Sequence, residues 1–109
     1  MAQAPSGGIV HQDQFPVMNQ AITQLQQIRG QLSTQTGTQA ITQLQQIREQ
    51  LKTEAGTHYQ GHRVNGMHLI DRAISQLKRG HSDLAGDAIE KAISQLQEGV
   101  KVAKAMGQK

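Results

Sequence analysis

Residues 20–32, QAITQLQQIRGQL, return nineteen positions later as residues 39–51, QAITQLQQIREQL, with Gly30 against Glu49 as the single difference. That spacing restricts the fold more than any other feature of the chain. A helix turns about 100° per residue, so nineteen residues rotate a copied apolar stripe by about 100°. Against the 3.5-residue period of a supercoil the mismatch is roughly 150°. One unbroken helix would therefore aim its two copies in different directions, and no single partner surface would cover both. The second half is doubled at the same offset: IDRAISQLKRG at residues 70–80 matches IEKAISQLQEG at residues 89–99. Each copy must be its own helix, and the chain must turn back between copies.

The turn signals stand where this requires them. Phe15-Pro16 reads as a helix start, because a first helical turn tolerates the missing N–H of proline. Met18, Ala21, Leu25, Ile28 and Leu32 then follow in steps of three and four, with Ile22 widening the stripe. Residues 33–38, STQTGT, interrupt; Gly37 is expected to end the first helix in the left-handed conformation and Thr38 to cap the second. Ala40, Leu44, Ile47 and Leu51, with Ile41, form the second stripe, and Ala55-Gly56-Thr57 stops it. Tyr59-Gln60-Gly61-His62-Arg63 leads into a third helix carrying Val64, Met67, Ile70, Ala73, Ile74 and Leu77. Gly80 closes that helix. Ser82 or Asp83 is expected to cap the fourth, whose stripe is Ala85, Ile89, Ala92, Ile93, Leu96, Val100 and Ala103. Residues 1–15, with two Pro, a Gly pair and no period, are expected to be a disordered tail.

The reading is an all-α fold: a four-helix up-down-up-down bundle forming a single domain over residues 16–106, with helices at about 16–33, 38–55, 61–79 and 83–105. The rival is a long two-helix hairpin, kinked at both breaks and dependent on a partner chain to cover its seam.

Composition narrows the function. One Phe, one Tyr and no Trp leave the core to aliphatic residues and Met, and remove the rings on which single-stranded nucleic acid stacks. A net charge of +3, spread along the chain, builds no phosphate-binding surface, so nucleic acid is not an expected partner. The absence of Cys removes disulfides, thiolate metal sites and thiol catalysis. No apolar run is long enough to span a bilayer, so membrane insertion is not expected. Fifteen of the nineteen Gln precede residue 61, giving helices that are soluble without charge. The start MAQAPSGG resembles what remains after a signal peptide is removed. It points to a periplasmic or secreted protein whose leader has been replaced by Met1, with an ordinary flexible N-terminus in the cytoplasm as the competing reading.

Residues 61–80, GHRVNGMHLIDRAISQLKRG, resemble a group of small, usually exported bacterial helical-hairpin proteins. Those proteins have a first helix of the type MxxALxxLxxAxxxL, a Gly-His-Arg turn, and a second helix of the type AxxLIxxAIxxVxxGI. Met18, Ala21, Leu25 and Leu32 stand in for the first helix. Gly61, His62 and Arg63 match the turn, and Leu69, Ile70, Ala73 and Ile74 match the second helix, with Leu77 and Gly80 near its Val and Gly positions. Both helices are doubled here, and Asn65-Gly66 replaces a helix-favouring pair. The resemblance implies a helical, exported protein and brings no assigned activity. A weaker similarity is to small periplasmic metal-binding bundles, which are much richer in His.

Five histidines are the residues closest to chemistry: His11, His58, His62, His68 and His81. Imidazoles bind Zn²⁺, Cu²⁺ or Ni²⁺ when two or three converge. His58 and His62 are four apart and share a face if the third helix begins by residue 58. They are the candidate metal ligands, with His11 able to fold back onto them. His68 falls on another face, and His81 lies at the far end of the helix. Two imidazoles with no carboxylate make a weak site for a divalent metal. Ser75 and Ser94 are copied residues with no shared base, and Asp71 and Glu90, also copies, are expected to be solvated beside Arg72 and Lys91. Met18 and Met67 are expected in the core. No catalytic residue and no cofactor is implied. The function expected is non-enzymatic association, with a second copy as a homodimer or with an envelope protein partner. The alternative is a periplasmic metal-binding or metal-buffering protein using His58 and His62.

Overall fold

The computed structural model of the chain describes residues 15–34, 36–54, 59 and 61–107. Four helices are present: α1 (Pro16–Gln31), α2 (Gly37–Thr53), α3 (His62–Lys78) and α4 (Ser82–Gly107). Every boundary falls within two residues of the position expected from the breaks. The first and third helices each pack against both α2 and α4, which closes a ring of four neighbours. This is the four-helix up-down-up-down bundle that the turned-back copies demand. Most of the segment expected to be a tail lies outside the described residues. Phe15, assigned to it, is half-buried and packs against the core.

The apolar stripes meet at the centre, and the copies are buried almost alike. Leu25 and Leu44 are both fully covered, as are Ile70 and Ile89; Ile74 and Ile93 are equally shielded. Burying a Leu or Ile side chain contributes about 1.5–3 kcal/mol, so these copied positions supply much of the drive to fold. Val64 departs from the expectation. It is 43% exposed, and Gly66 takes the inward position in that turn. The reason is the approach of α3 to α4. A Cβ on Gly66 would come within 2.7 Å of Leu96 Cδ2, so the glycine leaves room for the Leu96 side chain where α3 meets α4.

The turn between α1 and α2 corrects the expected capping. Thr36, not Thr38, is the N-cap: its hydroxyl accepts from the Gln39 N–H, and the Gln39 side chain accepts from the Thr36 N–H, completing a capping box. Gly37 is the first helical residue rather than a left-handed stop. The left-handed stop is at Gly80, with φ of 81°. There the His81 N–H reaches the Gln76 carbonyl and the Gly80 N–H reaches the Leu77 carbonyl, the paired bonds of a Schellman motif. Neither Ser82 nor Asp83 precedes α4 as a cap. The helix starts at Ser82, and the His81 carbonyl accepts from the Ala85 N–H.

The two glycines should therefore respond to the same change with opposite signs. Gly80→Ala forces a Cβ into the left-handed region and is expected to cost about 1 kcal/mol. Gly37→Ala adds a Cβ that meets nothing within 4 Å. It restricts the unfolded chain and is expected to stabilise by about 0.5 kcal/mol. Urea denaturation of the two variants checks both signs.

The surface obeys the same doubling. Arg29 on α1 pairs with Glu90 on α4, and Arg48 on α2 pairs with Asp71 on α3. Arg29 and Arg48 are copies, and so are Asp71 and Glu90. The two carboxylates are thus held across helix boundaries, not by the adjacent Arg72 and Lys91. Together with the burial pattern, these bridges define a pseudo-two-fold axis that exchanges α1 with α2 and α3 with α4. It also exchanges the two ends of the bundle.

Candidate functional site

The Gly-His-Arg turn is a structural joint. Gly61 takes φ of 82° and precedes α3. The next residue, His62, is half-buried, and its Nδ1 lies 2.8 Å from the Gln95 side-chain oxygen on α4. Asn65 donates to the same oxygen at 3.3 Å. Arg63 turns the other way. Its Nη1 donates to the Leu51 carbonyl at 2.7 Å, a second hydrogen bond on an oxygen in the last turn of α2 that also accepts from the Glu54 N–H. One turn of chain thus ties α2, α3 and α4 together.

Tyr59 completes this end of the molecule and was not singled out from sequence. Its ring is buried, 6.1 Å from the ring of Phe15 in an edge-to-face arrangement. Its hydroxyl donates to Glu54 Oε2 at 3.2 Å. Burial, followed by the nearby Glu54 charge and the hydrogen bond to it, pushes the phenol up to about 12 from its ordinary 10.0; Arg63 opposes the shift. The neutral phenol is the form the fold prefers. Its contribution is fully present below the unfolded value of about 10 and is lost as pH rises towards 12. The chain has one Tyr, so phenolate absorbance reports this group alone. Alkaline titration is expected to show ionisation displaced well above that of free tyrosine, with stability to urea falling over the same range.

The histidines do not converge among the described residues. His58 and His11 lie outside them. The third helix begins at His62, after the left-handed Gly61. His68 is exposed, and exposed His81 has its Nδ1 3.1 Å from Gln76 Oε1. No group of three His, Asp or Glu side chains suited to a metal ion occurs among the described residues. Ser75 and Ser94 are both exposed, and Met18 and Met67 lie in the core.

The most distinctive surface feature is a cleft of about 200 Å³ between α1 and α2. It is lined by Gln24, Gln27, Ile28 and Gln31 from α1 and by Gln43, Gln46, Ile47 and Gln50 from α2. These are the same four repeat positions taken twice, so the pseudo-two-fold axis maps the cleft onto itself. Its lining carries no charge. The side-chain oxygens of Gln24 and Gln50 are buried and have no hydrogen-bond partner among the described residues. A buried acceptor without a donor costs about 1–3 kcal/mol, so these two amides are held at a cost to the fold. Sequence showed the abundance of Gln. Which six amides face one another was decided by the crossing of the helices.

No helix among the described residues is long and apolar enough to cross a membrane. Comparison with protein-family models, with curated proteins and with solved structures finds no match to the chain.

Proposed function

We propose that the protein is a non-enzymatic, exported helical module that acts by association with itself or with an envelope partner. The observation that carries this reading is the uncharged, two-fold-related amide cleft between α1 and α2. A carboxamide is both donor and acceptor, so a face of six glutamines is chemically complementary to a copy of itself. The pseudo-two-fold symmetry suits the isologous contact of a homodimer, in which the same patch serves both partners. With a net charge of +3 the molecules repel weakly at long range, and the cleft adds no charge of its own to that repulsion.

Sedimentation equilibrium over a wide concentration range tests the self-association form of the proposal. The expected result is a mass that rises with concentration, with dimerisation weakened at least tenfold by Gln27→Lys with Gln46→Lys. Both positions are exposed and line the cleft, so these changes leave the core untouched. A strict monomer throughout, or a dimer indifferent to the paired lysines, would overturn the cleft as a self-association surface. Export rests on the resemblance of residues 61–80 to usually exported helical-hairpin proteins, and N-terminal sequencing of the mature protein together with its precursor gene tests it.

A further inference from the structure

We propose that the groove filled by α1 is an interaction surface between copies of the chain, which two molecules occupy by exchanging their first helices. The inference does not rest on the glutamine cleft as a docking face. It rests on how differently the three connections of the bundle are fastened.

Two connections are tied from helix to helix. Between α3 and α4, the His81 N–H bonds to the Gln76 carbonyl, and His81 itself supplies the carbonyl that accepts from Ala85 of α4. Between α2 and α3, Arg63 donates to the Leu51 carbonyl. Each of these connections also turns on a left-handed glycine, Gly80 in the first and Gly61 in the second. The α1–α2 connection has neither device among its described residues. The Leu32 and Thr34 N–H groups and the Thr34 hydroxyl all return to carbonyls of α1, those of Arg29 and Gln31. The hydrogen bonds of Thr36 run forward, to Gln39 and Ala40 of α2. Leu32 keeps helical backbone at φ of −59° and ψ of −30°, whereas Thr36 is extended at φ of −72° and ψ of 153°. Ser33, Thr34 and Thr36 are all exposed. This turn can therefore open without breaking any of the hydrogen bonds just named.

What holds α1 is side-chain packing, and a second copy offers the same packing. Met18, Ala21, Ile22, Leu25 and Ile28 are buried, and Arg29 pairs with Glu90 on α4. At the end sealed by Tyr59 and Phe15, a Cβ on Gly99 would meet Met18 Cε at 3.1 Å, so Met18 is seated closely there. Towards α2 the fit is looser, because the cleft of about 200 Å³ lies between the two helices. All these contacts are remade when the helix comes from another molecule. Exchange then changes little besides the turn itself and the freedom lost on association, which is why swapping an identical element is a low-cost route to a dimer. The opened turn is extended, not helical, because the nineteen-residue offset would put the stripe of α1 out of phase in a continuous helix. Withdrawing α1 exposes its buried side chains, so exchange is slow and dimers formed at high concentration persist on dilution.

The chain has no Cys, so introduced thiols report on the chosen pairs alone. Arg29→Cys with Glu90→Cys marks the contact of α1 with α4, and Arg48→Cys with Asp71→Cys marks the contact of α2 with α3. The pseudo-two-fold axis makes the two pairs equivalent for a dimer docked through the cleft, and exchange of α1 alone separates them. All four side chains are partly exposed, and ion pairs of that kind add little to stability, so both double variants are expected to fold. Each full-length variant is incubated over a range of concentrations just below its melting temperature, diluted, and joined with a short bismaleimide. Denaturing gels then measure covalent dimer. The expected result is at least tenfold more covalent dimer from the α1–α4 pair than from the α2–α3 pair, in an amount that rises with the concentration during incubation. Comparable yields from the two pairs, a larger yield from the α2–α3 pair, or no dimer from either at any concentration would overturn the proposal.

Discussion

Tyr59→Ala is expected to remove about 3–5 kcal/mol of stability, the cost of deleting a buried aromatic side chain. A domain of this length has about 5–15 kcal/mol in total, so the variant should be at the edge of unfolding at room temperature. The ring is buried, holds Phe15 by its edge, and lies beside Gly99 and Met18 at the sealed end. Removing it opens a cavity and also leaves Glu54 without its phenol donor. Tyr59→Phe separates the two contributions. It keeps the ring and is expected to cost about 1 kcal/mol for the lost hydrogen bond. It should also abolish the fall in stability above pH 10, because no group with a displaced ionisation remains at that position. Urea denaturation of the parent and both variants at neutral pH and at pH 11 measures both effects. A Tyr59→Ala protein as stable as the parent would show that the ring is not part of the core.

Leu51→Ala is expected to cost about 3–4 kcal/mol, and Leu32→Ala only about 1 kcal/mol, although the two leucines occupy the same place in the repeat. Leu51 is fully buried within α2. Leu32 is the half-buried C-cap of α1 and lines a surface recess with Leu77. The cost of a large-to-small change depends on how much is buried and how far the surroundings can relax, and these two sites differ in both respects. Equal losses would mean that both ends of the bundle are equally packed. Chemical denaturation of both variants under one set of conditions decides it.

Much of the architecture was legible before any coordinate. The nineteen-residue offset ruled out one continuous helix, and the apolar steps of three and four placed Leu25, Leu44, Ile70 and Ile89 inside. Where the reading failed, the deciding contact was distant in sequence. Val64 looked like a seam residue, but the close approach of Gly66 to Leu96 set the facing of that turn. Gly37 looked like a stop because glycine often is one, yet the capping box of Thr36 and Gln39 makes it the first residue of α2. Asp71 and Glu90 are solvated as expected, but each pairs with an arginine on another helix and not with its basic neighbour. The candidate site was less legible still. His62 drew attention for its chemistry and proves to be bonded to Gln95, thirty-three residues away. The six glutamines of the cleft were visible only as composition.

Local physics settled how many helices there are, where they begin and end, and which stripe of each faces inward. Those properties depend on periodicity, capping and turn residues a few positions apart, all of which the linear chain contains. Only the packed molecule decided that two equivalent ends are filled unequally, that one tyrosine seals the first, and that doubled glutamines meet across a cleft. Those outcomes depend on which side chains arrive at the same point in space, and a repeat makes the candidates identical in sequence until the fold places them in different surroundings.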